Sequence, residues 1–251
     1  MTDENITKFT EAFKKVKALG KIKTNRSGNT GIGKTLEDIM NVEENNIEAP
    51  DLYGFEIKSQ RTLSDSYVTL FAKTPNPKGI NNNLRLNYGS NDEVFANIKV
   101  LHTSIFLDQW NTHKSGFGFT LSIDRKNEKL ILKVKNLETD VIVEENVYWD
   151  FSSLEDKLKM KMQNLAFIKA KSEIIDSEEF FTFSSCTLFS GGLTLERFFE
   201  ALQKKHIMFD IRIGAYKNPK SKSYGKSHDH GSAFRIKKEN FLSLYNDETN
   251  L

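Results

Sequence analysis

The sequence contains very little of the residue types that build several classes of protein. Cys186 is the only cysteine among 251 residues, which excludes an intramolecular disulfide framework and a cysteine-rich zinc site. No apolar run approaches the roughly 18 residues that span a bilayer. Residues 1–15 are polar and charged, so we expect no secretory signal. These absences predict a protein of a reducing cytoplasm with no membrane partner, in which Cys186 is a buried small hydrophobic residue.

A large net charge is also absent. The 36 lysines and arginines nearly balance the 34 acidic residues, which leaves a formal charge of +2, so the molecule as a whole is not a polycation. Basic residues instead cluster at 14–26, 157–161 and 217–226, and acidic residues cluster at 43–51 and 172–179. Basic clusters beside an acidic one suit the binding of a polyanion. Any one cluster alone is more often a solvated surface.

Apolar periodicity predicts a mixed α+β chain. Helices are predicted at residues 5–18, 34–42, 151–163, 193–204 and 239–245. Strands are predicted at residues 55–59, 66–72, 98–107, 118–124, 129–134, 141–148, 165–172, 180–190, 207–214 and 232–236. The segment that begins at Thr74 contains two prolines and four asparagines, which predicts an irregular loop. We expect two lobes, residues 1–95 and residues 96–251.

One short segment carries the pattern that bears most directly on function. Phe55 and Ile57 alternate with Glu56 and Lys58, which is the period-2 pattern of a half-buried strand. On such a strand the two charged side chains point to one side, and Asp51 lies just upstream after a proline. Two carboxylates near one ammonium form a hard-oxygen site for a divalent cation, and the lysine can meet a phosphate or an attacking water. This chemistry is typical of a phosphodiester nuclease.

The same pattern has a plainer interpretation. Acids and lysines are common, and Glu56 and Lys58 alone fit an exposed ion pair that adds little stability. On spacing alone that interpretation is preferred. Three features favour the nuclease: the proline before Asp51, the apolar opposite side of the strand, and an upstream helix that carries Glu37 as a third carboxylate.

A glycine-rich run from Gly28 to Thr35 has the spacing of a phosphate-binding P-loop. A P-loop follows a buried strand, however, and residues 21–27 are too polar for a buried parallel strand. We interpret the match as coincidental. The same glycines would still let backbone amides approach a DNA phosphate at a helix N-terminus.

Two segments near the C-terminus carry polar residues suited to contacts with base pairs. Asp210 and Arg212 alternate with apolar residues on a predicted strand, so both side chains point the same way. Arginine can bind guanine O6 and N7, and aspartate can accept from cytosine N4. The alternative is an i, i+2 salt bridge between them. The second segment offers four further candidates: His228, Asp229, His230 and Arg235.

The His-Asp-His sequence at 228–230 also fits a transition-metal site, because alternate histidines share a strand face. No third soft ligand is evident in the sequence, so we rank base contact above zinc. Between the two segments, lysines are interleaved with aromatic residues. This composition predicts a flexible loop that holds DNA phosphates through Tyr216, Lys217, Lys222 and Lys226.

Together these segments resemble the MvaI/BcnI group of Type II restriction endonucleases. The resemblance runs through nearly the whole chain in the same order. It rests on residues 28–38, 49–51, 56–58, 69–75, 147–149, 210–216 and 228–235. The region from 81 to 129 matches less well.

The resemblance implies a fold like that of the mismatch-repair nicking enzyme MutH, with two lobes that form a DNA-binding cleft. The catalytic lobe, residues 1–95, would carry a PD-(D/E)xK nuclease core, and residues 96–251 would form the DNA-recognition lobe. The catalytic positions fall on Glu37, Asp51, Glu56 and Lys58. The base-contacting segments contain Asp210, Arg212, His228, Asp229, His230 and Arg235.

The resemblance also implies a site-specific deoxyribonuclease of a prokaryotic cytoplasm that acts on double-stranded DNA as a monomer, without an obligate protein partner. Its target would be a short pseudo-palindrome of the CC-N-GG kind, CCWGG-like or CCSGG-like. One active site would nick one strand and then rebind in the opposite orientation. A cognate cytosine DNA methyltransferase is expected beside it. The alternatives are a MutH-like mismatch-repair nickase that needs an activating partner and a DNA-binding repressor with a vestigial site.

The chemistry that we expect is Mg²⁺-dependent hydrolysis, with Mn²⁺ as a substitute, that leaves a 5′-phosphate and a 3′-hydroxyl. Asp51, Glu56 and the carbonyl of Ile57 would ligate the cation. Lys58 would orient or help deprotonate the attacking water. Glu37 would bind through a water or a second metal.

Overall fold

The computed structural model describes residues 3–26, 28, 30–40 and 50–251. The helices are α1 (Asp3–Ala18), α2 (Gly31–Ile39), α3 (Ile80–Tyr88), α4 (Phe151–Lys161), α5 (Leu195–Gln203) and a 3₁₀ helix (Lys238–Leu244). The strands are β1 (Lys21–Lys23), β2 (Glu56–Arg61), β3 (Val68–Phe71), β4 (Ser90–Asn91), β5 (Lys99–Ile105), β6 (Phe117–Asp124), β7 (Lys129–Asn136), β8 (Ile142–Asp150), β9 (Leu165–Ile175), β10 (Glu178–Ser190), β11 (Ile207–Ala215), β12 (Ser227–Asp229), β13 (Ala233–Ile236) and β14 (Asp247–Asn250). None of the helices in these described ranges is long and apolar enough to cross a membrane.

The ten strands and five helical segments predicted from the sequence are found, the last helix in the 3₁₀ form. The prediction of an irregular loop after Thr74 is wrong in its second half, where α3 forms. Ile80, Leu84 and Tyr88 repeat every four residues and are buried on one face of α3. Their burial outweighs the weak helix propensity of the three asparagines between them. The four strands that the sequence did not reveal have four residues or fewer.

The chain forms two compact units, each assembled from separate stretches. The first unit comprises residues 1–68, 156–197 and 237–251, and the second comprises residues 69–155 and 198–236. This arrangement differs from a single division near residue 95, because β9 and β10 pair with β2 and β1 and therefore belong with the N-terminal segment. The roles assigned to the two lobes stay predictions.

The first unit is a mixed sheet in the order β1-β10-β9-β2, with β14 paired to β10. β2 lies at its edge and runs parallel to β9, whereas the other pairs are antiparallel. One face of the sheet packs on α1 and α2 through a core that includes Phe9, Phe13, Leu36 and Phe55. The 3₁₀ helix packs on Phe167 and Phe189 through Phe241, with ring centroids 5.0 and 5.7 Å apart.

The second unit contains a six-stranded sheet, ordered β3-β13-β11-β5-β4 with β12 on β11, and the antiparallel meander β6-β7-β8. Trp149 on β8 anchors its core. The indole ring contacts Phe209 and Phe234, with ring centroids 4.7 and 5.4 Å away, and its Nε1 donates to the carbonyl of Lys73 at 2.9 Å. One face of the central strand β11 therefore packs on Trp149 through Phe209. Its polar side chains lie on the opposite face.

We predict that Trp149→Ala lowers the free energy of unfolding of the second unit by about 3–5 kcal/mol, because it removes a fully buried ring and strands a carbonyl. Trp110 provides the matched control. It is only partly buried, and Lys135 lies 5.0 Å from its ring, so Trp110→Ala should cost about 1 kcal/mol. Urea unfolding followed by circular dichroism measures both. Equal losses in the two variants would contradict the placement of Trp149.

Candidate active site and polar sheet face

Strand β2 places Glu56 and Lys58 on the same side of the sheet, as the alternation predicts. Lys58 Nζ donates to Glu56 Oε1 at 2.5 Å. Glu56 is buried, with 5% of its side chain exposed, and Lys58 is 19% exposed. The pair is therefore not the exposed ion pair of the plainer interpretation. A buried carboxylate needs a compensating positive charge, and Lys58 supplies it.

A tight turn brings Asp51 back to the start of β2. Leu52 and Phe55 exchange two backbone hydrogen bonds, and Gly54 between them has a positive φ of 79°. Asp51 Oδ2 then accepts from the backbone N–H of Ile57 at 2.8 Å. Within a strand, the N–H and C=O of one residue point to the same edge. The Ile57 carbonyl therefore lies on the open edge of the sheet, on the side that Asp51 occupies.

Lys161, at the end of α4, is a second cation beside Glu56. Its Nζ lies 3.6 Å from Glu56 Oε2, which is too far for a hydrogen bond. Within the part of the chain that the structure describes, Glu56 Oε2 is buried and accepts no hydrogen bond. Sequence reasoning noticed the basic cluster that contains Lys161 but gave this residue no role. The spacing of residues on one strand does not predict that a helix formed by residues 151–161 packs beside that strand.

Tyr245 lies next to Glu56 and was also missed. Its hydroxyl is buried and has no hydrogen-bond partner among the described residues. Burial, reinforced by the negative charge of Glu56, raises the pKa of the Tyr245 phenol well above its usual value. The hydroxyl therefore stays protonated and remains a donor. Glu56 thus has an unsatisfied oxygen in a neighbourhood that also holds an unsatisfied donor.

The donor set fits a hard divalent cation. An unsatisfied Glu56 oxygen, the second oxygen of Asp51 and the Ile57 carbonyl are all oxygen ligands, the type that Mg²⁺ prefers. No group of three or more His, Cys, Asp or Glu side chains suited to a metal occurs in the described ranges. Two carboxylates with waters and a substrate phosphate are nonetheless the usual Mg²⁺ environment.

Glu37 occupies α2, whose buried residues pack on the sheet that carries β2. Its side chain is half-buried. Across the described residues Glu37 does not complete a three-carboxylate group with Asp51 and Glu56. A contribution of Glu37 through a water or a second metal stays a prediction.

The glycine-rich run is anchored to β2 by Arg61, which donates to the carbonyl of Gly28 at 2.9 Å. A Cβ at Gly31 would lie 2.2 Å from the carbonyl oxygen of Arg26, so only glycine fits there. The preceding strand β1 is three residues long, lies at the sheet edge and pairs antiparallel with β10. It is not the buried parallel strand of a P-loop. Ser27, Asn29 and residues 41–49 of this region lie outside the described residues.

In the second unit, Asp210 on β11 is buried beneath two arginines. Its Oδ2 accepts from Arg212 Nε at 2.7 Å and lies 2.9 Å from Arg235 Nε, while its Oδ1 accepts from Ser104 Oγ at 3.1 Å. Only 1% of the residue is exposed. The i, i+2 salt bridge is therefore present, and both carboxylate oxygens are engaged. These contacts favour a role for Asp210 in positioning the arginines rather than in accepting from cytosine.

The two arginines differ in how much of the guanidinium group is exposed and free to bind a ligand. Arg235 donates to Thr69 Oγ1 at 2.7 Å and to the carbonyl of Gly231 at 3.0 Å, and its side chain is 21% exposed. Arg212 donates through Nε to Asp210, and its side chain is 50% exposed. Arg212 therefore presents the end of its guanidinium to solvent, whereas Arg235 is largely satisfied internally.

Three aromatic rings form a cluster at the strands next to Arg212. Tyr216 and His228 are nearly parallel at 14° with ring centroids 4.6 Å apart, and His228 meets His230 edge-on at 4.4 Å. His230 covers Gly214, where a Cβ would lie 2.6 Å from the imidazole Nε2. Burial, followed by the neighbouring His228, lowers the pKa of His230. His230 is therefore neutral at pH 7.

Asp229 fixes the turn between the histidines and β13. Its Oδ1 accepts from the backbone N–H groups of Gly231 and Ser232 at 2.9 and 2.6 Å, and its Oδ2 accepts from Asn81 Nδ2 at 2.9 Å. Ser232 Oγ in turn accepts from the N–H of Arg212. The observed hydrogen bonds of Asp229 stabilise the conformation of this loop. A contact of Asp229 with a base stays a prediction. Asn81 lies in the region that sequence reasoning left without a role.

The basic loop after β11 is less free than the sequence predicted. The backbone of Tyr216 exchanges hydrogen bonds with Lys226 and Gly225 at 3.0 and 2.9 Å, which closes the base of the loop. Lys217 pairs with Asp92 at 2.7 Å, and this contact is the main cause that lowers the pKa of Asp92 to about 2. The remaining lysines of the prediction, Lys222 and Lys226, are exposed.

Comparison with known proteins identifies the family and the fold of the chain. The family model of the MvaI/BcnI restriction endonucleases matches residues 10–245. A solved complex of the restriction endonuclease MvaI with its cognate DNA substrate has 36% sequence identity, covers 100% of this chain and 99% of that chain, and superposes with a TM-score of 0.88. MvaI solved without DNA also has 36% identity, with coverage of 100% and 98% and a TM-score of 0.64. No curated protein sequence matches significantly. A mixed α+β chain with a PD-(D/E)xK-type core, matched along nearly its whole length, belongs to the MvaI/BcnI restriction endonuclease family.

Proposed function

We propose that this chain is a Type II restriction endonuclease that hydrolyses both strands of DNA at a short CC-N-GG-type site with Mg²⁺, for which Mn²⁺ can substitute. As a member of its family it is a restriction endonuclease that cleaves DNA. The observation that carries the finer proposal is the buried Glu56. Its oxygens lie near two lysines, and among the described residues one of these oxygens accepts no hydrogen bond. A half-satisfied buried carboxylate is costly unless a ligand completes it.

The residues of the first unit divide the chemistry among them. Asp51, Glu56 and the Ile57 carbonyl would hold the cation, with Glu37 contributing through water. A divalent cation at this place would stabilise the charge on the phosphate and acidify bound water. Lys58, fixed by Glu56, orients the attacking water and stabilises the charged phosphate oxygens. Water then attacks phosphorus and the bond to O3′ breaks, which leaves a 5′-phosphate and a 3′-hydroxyl.

The polar face of the second unit comprises Arg212, His228, His230 and the supporting residues Asp210 and Arg235. Arg212 is the exposed cation of this face and suits a guanine through O6 and N7. The neutral histidine ring of His230 can donate one N–H to a base edge. The exposed Lys222 and Lys226 would contact phosphates, which adds affinity without specificity.

The proposed enzyme acts as a monomer, on one strand at a time. Incubation of the purified protein with plasmid and Mg²⁺ tests the proposal directly. Nicked circles should precede linear fragments, all ends should map to CC-N-GG sites, and EDTA should abolish cutting. Methylation of the target cytosines should block it, as expected of an enzyme with a cognate methyltransferase. Nicking that stops at one strand or requires a second protein would instead favour a mismatch-repair nickase.

We predict that Lys58→Ala reduces the cleavage rate at least about 100-fold, because it removes the ammonium that faces the phosphate and the water. Binding to target DNA in Ca²⁺ should remain within a few-fold of the parent. Lys171→Ala, an exposed lysine on β9 of the same sheet, is the control and should cut normally. Full activity of Lys58→Ala would remove this lysine from the mechanism.

Lys161→Met should slow cleavage roughly tenfold, which corresponds to about 1.4 kcal/mol in the transition state. The reason is that Glu56 then loses one of its two neighbouring ammonium groups. Lys159→Met changes an exposed lysine two residues earlier on α4 and should leave the rate unchanged. Single-turnover rates at saturating enzyme compare the two. Identical rates would show that Lys161 does not support Glu56.

Arg212→Ala should weaken discrimination at one G·C pair by about 1–3 kcal/mol, or roughly ten- to a hundredfold, because a bidentate guanine contact is lost. Arg125→Ala, an exposed arginine of the same unit near the ring of Phe199, serves as the control. Rates on substrates with each base pair replaced in turn give the measurement. Loss of rate that is equal on all substrates would indicate a phosphate contact instead.

A further inference from the structure

His102 on β5 lies directly opposite Arg212 on β11 in an antiparallel register. The next pair in the same register that shares its face is Ser104 opposite Asp210, and those two side chains are hydrogen bonded. Because directly opposed residues of an antiparallel pair project to the same side, the ring of His102 emerges beside the guanidinium of Arg212. It therefore joins the polar face of the second unit from a strand that the sequence predicted but to whose residues it gave no role.

The ring of His102 differs from the other polar groups around it. Asp210, Ser104 and Arg235 are engaged with one another or with the backbone. His102 is exposed, and its ring makes no hydrogen bond within the described part of the chain. Among the described residues, the ring of His230 lies beside it, edge-on with centroids 6.5 Å apart. Its backbone is fixed by the pairing of β5 with β11, and among the described residues no group bonds to its two ring nitrogens.

We propose that His102 is a further specificity-determining residue, which donates a hydrogen bond to N7 of a guanine adjacent to the one contacted by Arg212. The inference rests on the proposed function. Guanine offers acceptors at N7 and O6 in the major groove, and an imidazole N–H complements one acceptor.

A neutral ring suits this role better than it suits a phosphate. Burial, and then the positive charge of Arg212, lowers the pKa of His102, with His230 and Lys217 acting in the same direction and Asp210 opposing them. The ring is therefore uncharged at pH 7 and has one donor and one acceptor nitrogen. A neutral ring makes a directional hydrogen bond to a base edge. It adds little electrostatic attraction to the DNA phosphates, whose contacts depend on charge.

The test uses the full-length enzyme and duplexes in which each guanine of the site is replaced in turn by 7-deazaguanine, which lacks the N7 acceptor. His102→Ala should lower kcat/KM on the unmodified site about tenfold. One 7-deazaguanine should impair the parent enzyme by a similar factor and have no further effect on His102→Ala. His102→Gln, whose amide can also donate, should recover part of the loss. The salt dependence of binding should be the same in parent and variants, since no phosphate contact changes.

His206→Ala is the matched control, because His206 follows α5 in the same unit but lies outside this face. It should cut every substrate like the parent, and thermal unfolding should show that both variants are folded. If the losses from 7-deazaguanine and from His102→Ala multiply at every position, or if His102→Ala cuts normally, the inference is overturned. If the parent itself fails to cut CC-N-GG sites with Mg²⁺, the proposed function fails instead, so the two failures are distinguishable.

Discussion

The arrangement of the first unit depends on one buried carboxylate and its counter-charges. Glu56 is nearly inaccessible, yet it lies on an edge strand with Lys58 bonded to one oxygen and Lys161 near the other. Burial of this charge without compensation would be strongly unfavourable, and the two lysines supply the compensating charge. The return of Asp51 to the Ile57 amide adds a second acid to the same edge. The result is a compact set of oxygen donors with cations already around it.

The second unit also contains a buried carboxylate beside cationic side chains, but its contacts differ. Asp210 is also a buried acid beneath cations, but both of its oxygens are engaged by Arg212, Ser104 and the neighbouring Arg235. Both oxygens of the acid are thus engaged within the unit, and the acid orients the two arginines. A satisfied carboxylate makes a rigid support, whereas a half-satisfied one makes a binding site. This contrast distinguishes the half-satisfied acid of the first unit from the satisfied acid of the second.

Local pattern predicted most elements because burial of alternating or helically spaced apolar residues decides them. It did not predict α3, because the three asparagines indicated a loop although Ile80, Leu84 and Tyr88 have helical spacing. It also divided the chain once, whereas strands from residues 165–190 return to the N-terminal sheet. Pairing between residues a hundred positions apart has no signature in a local window, since its energy comes from contacts that exist only after the chain has folded.

The sequence by itself determined Glu56 and Lys58 of β2, their shared side of the strand, and the family to which the chain belongs. Only the tertiary structure decided which groups surround them. Lys161 and Tyr245 reach Glu56, and His102 reaches Arg212, from segments far away along the chain. It also decided that Asp210 and Asp229 are engaged as internal supports. The physical reason is that periodicity fixes the direction of a side chain, whereas its partner, its burial and its remaining hydrogen-bond capacity depend on packing.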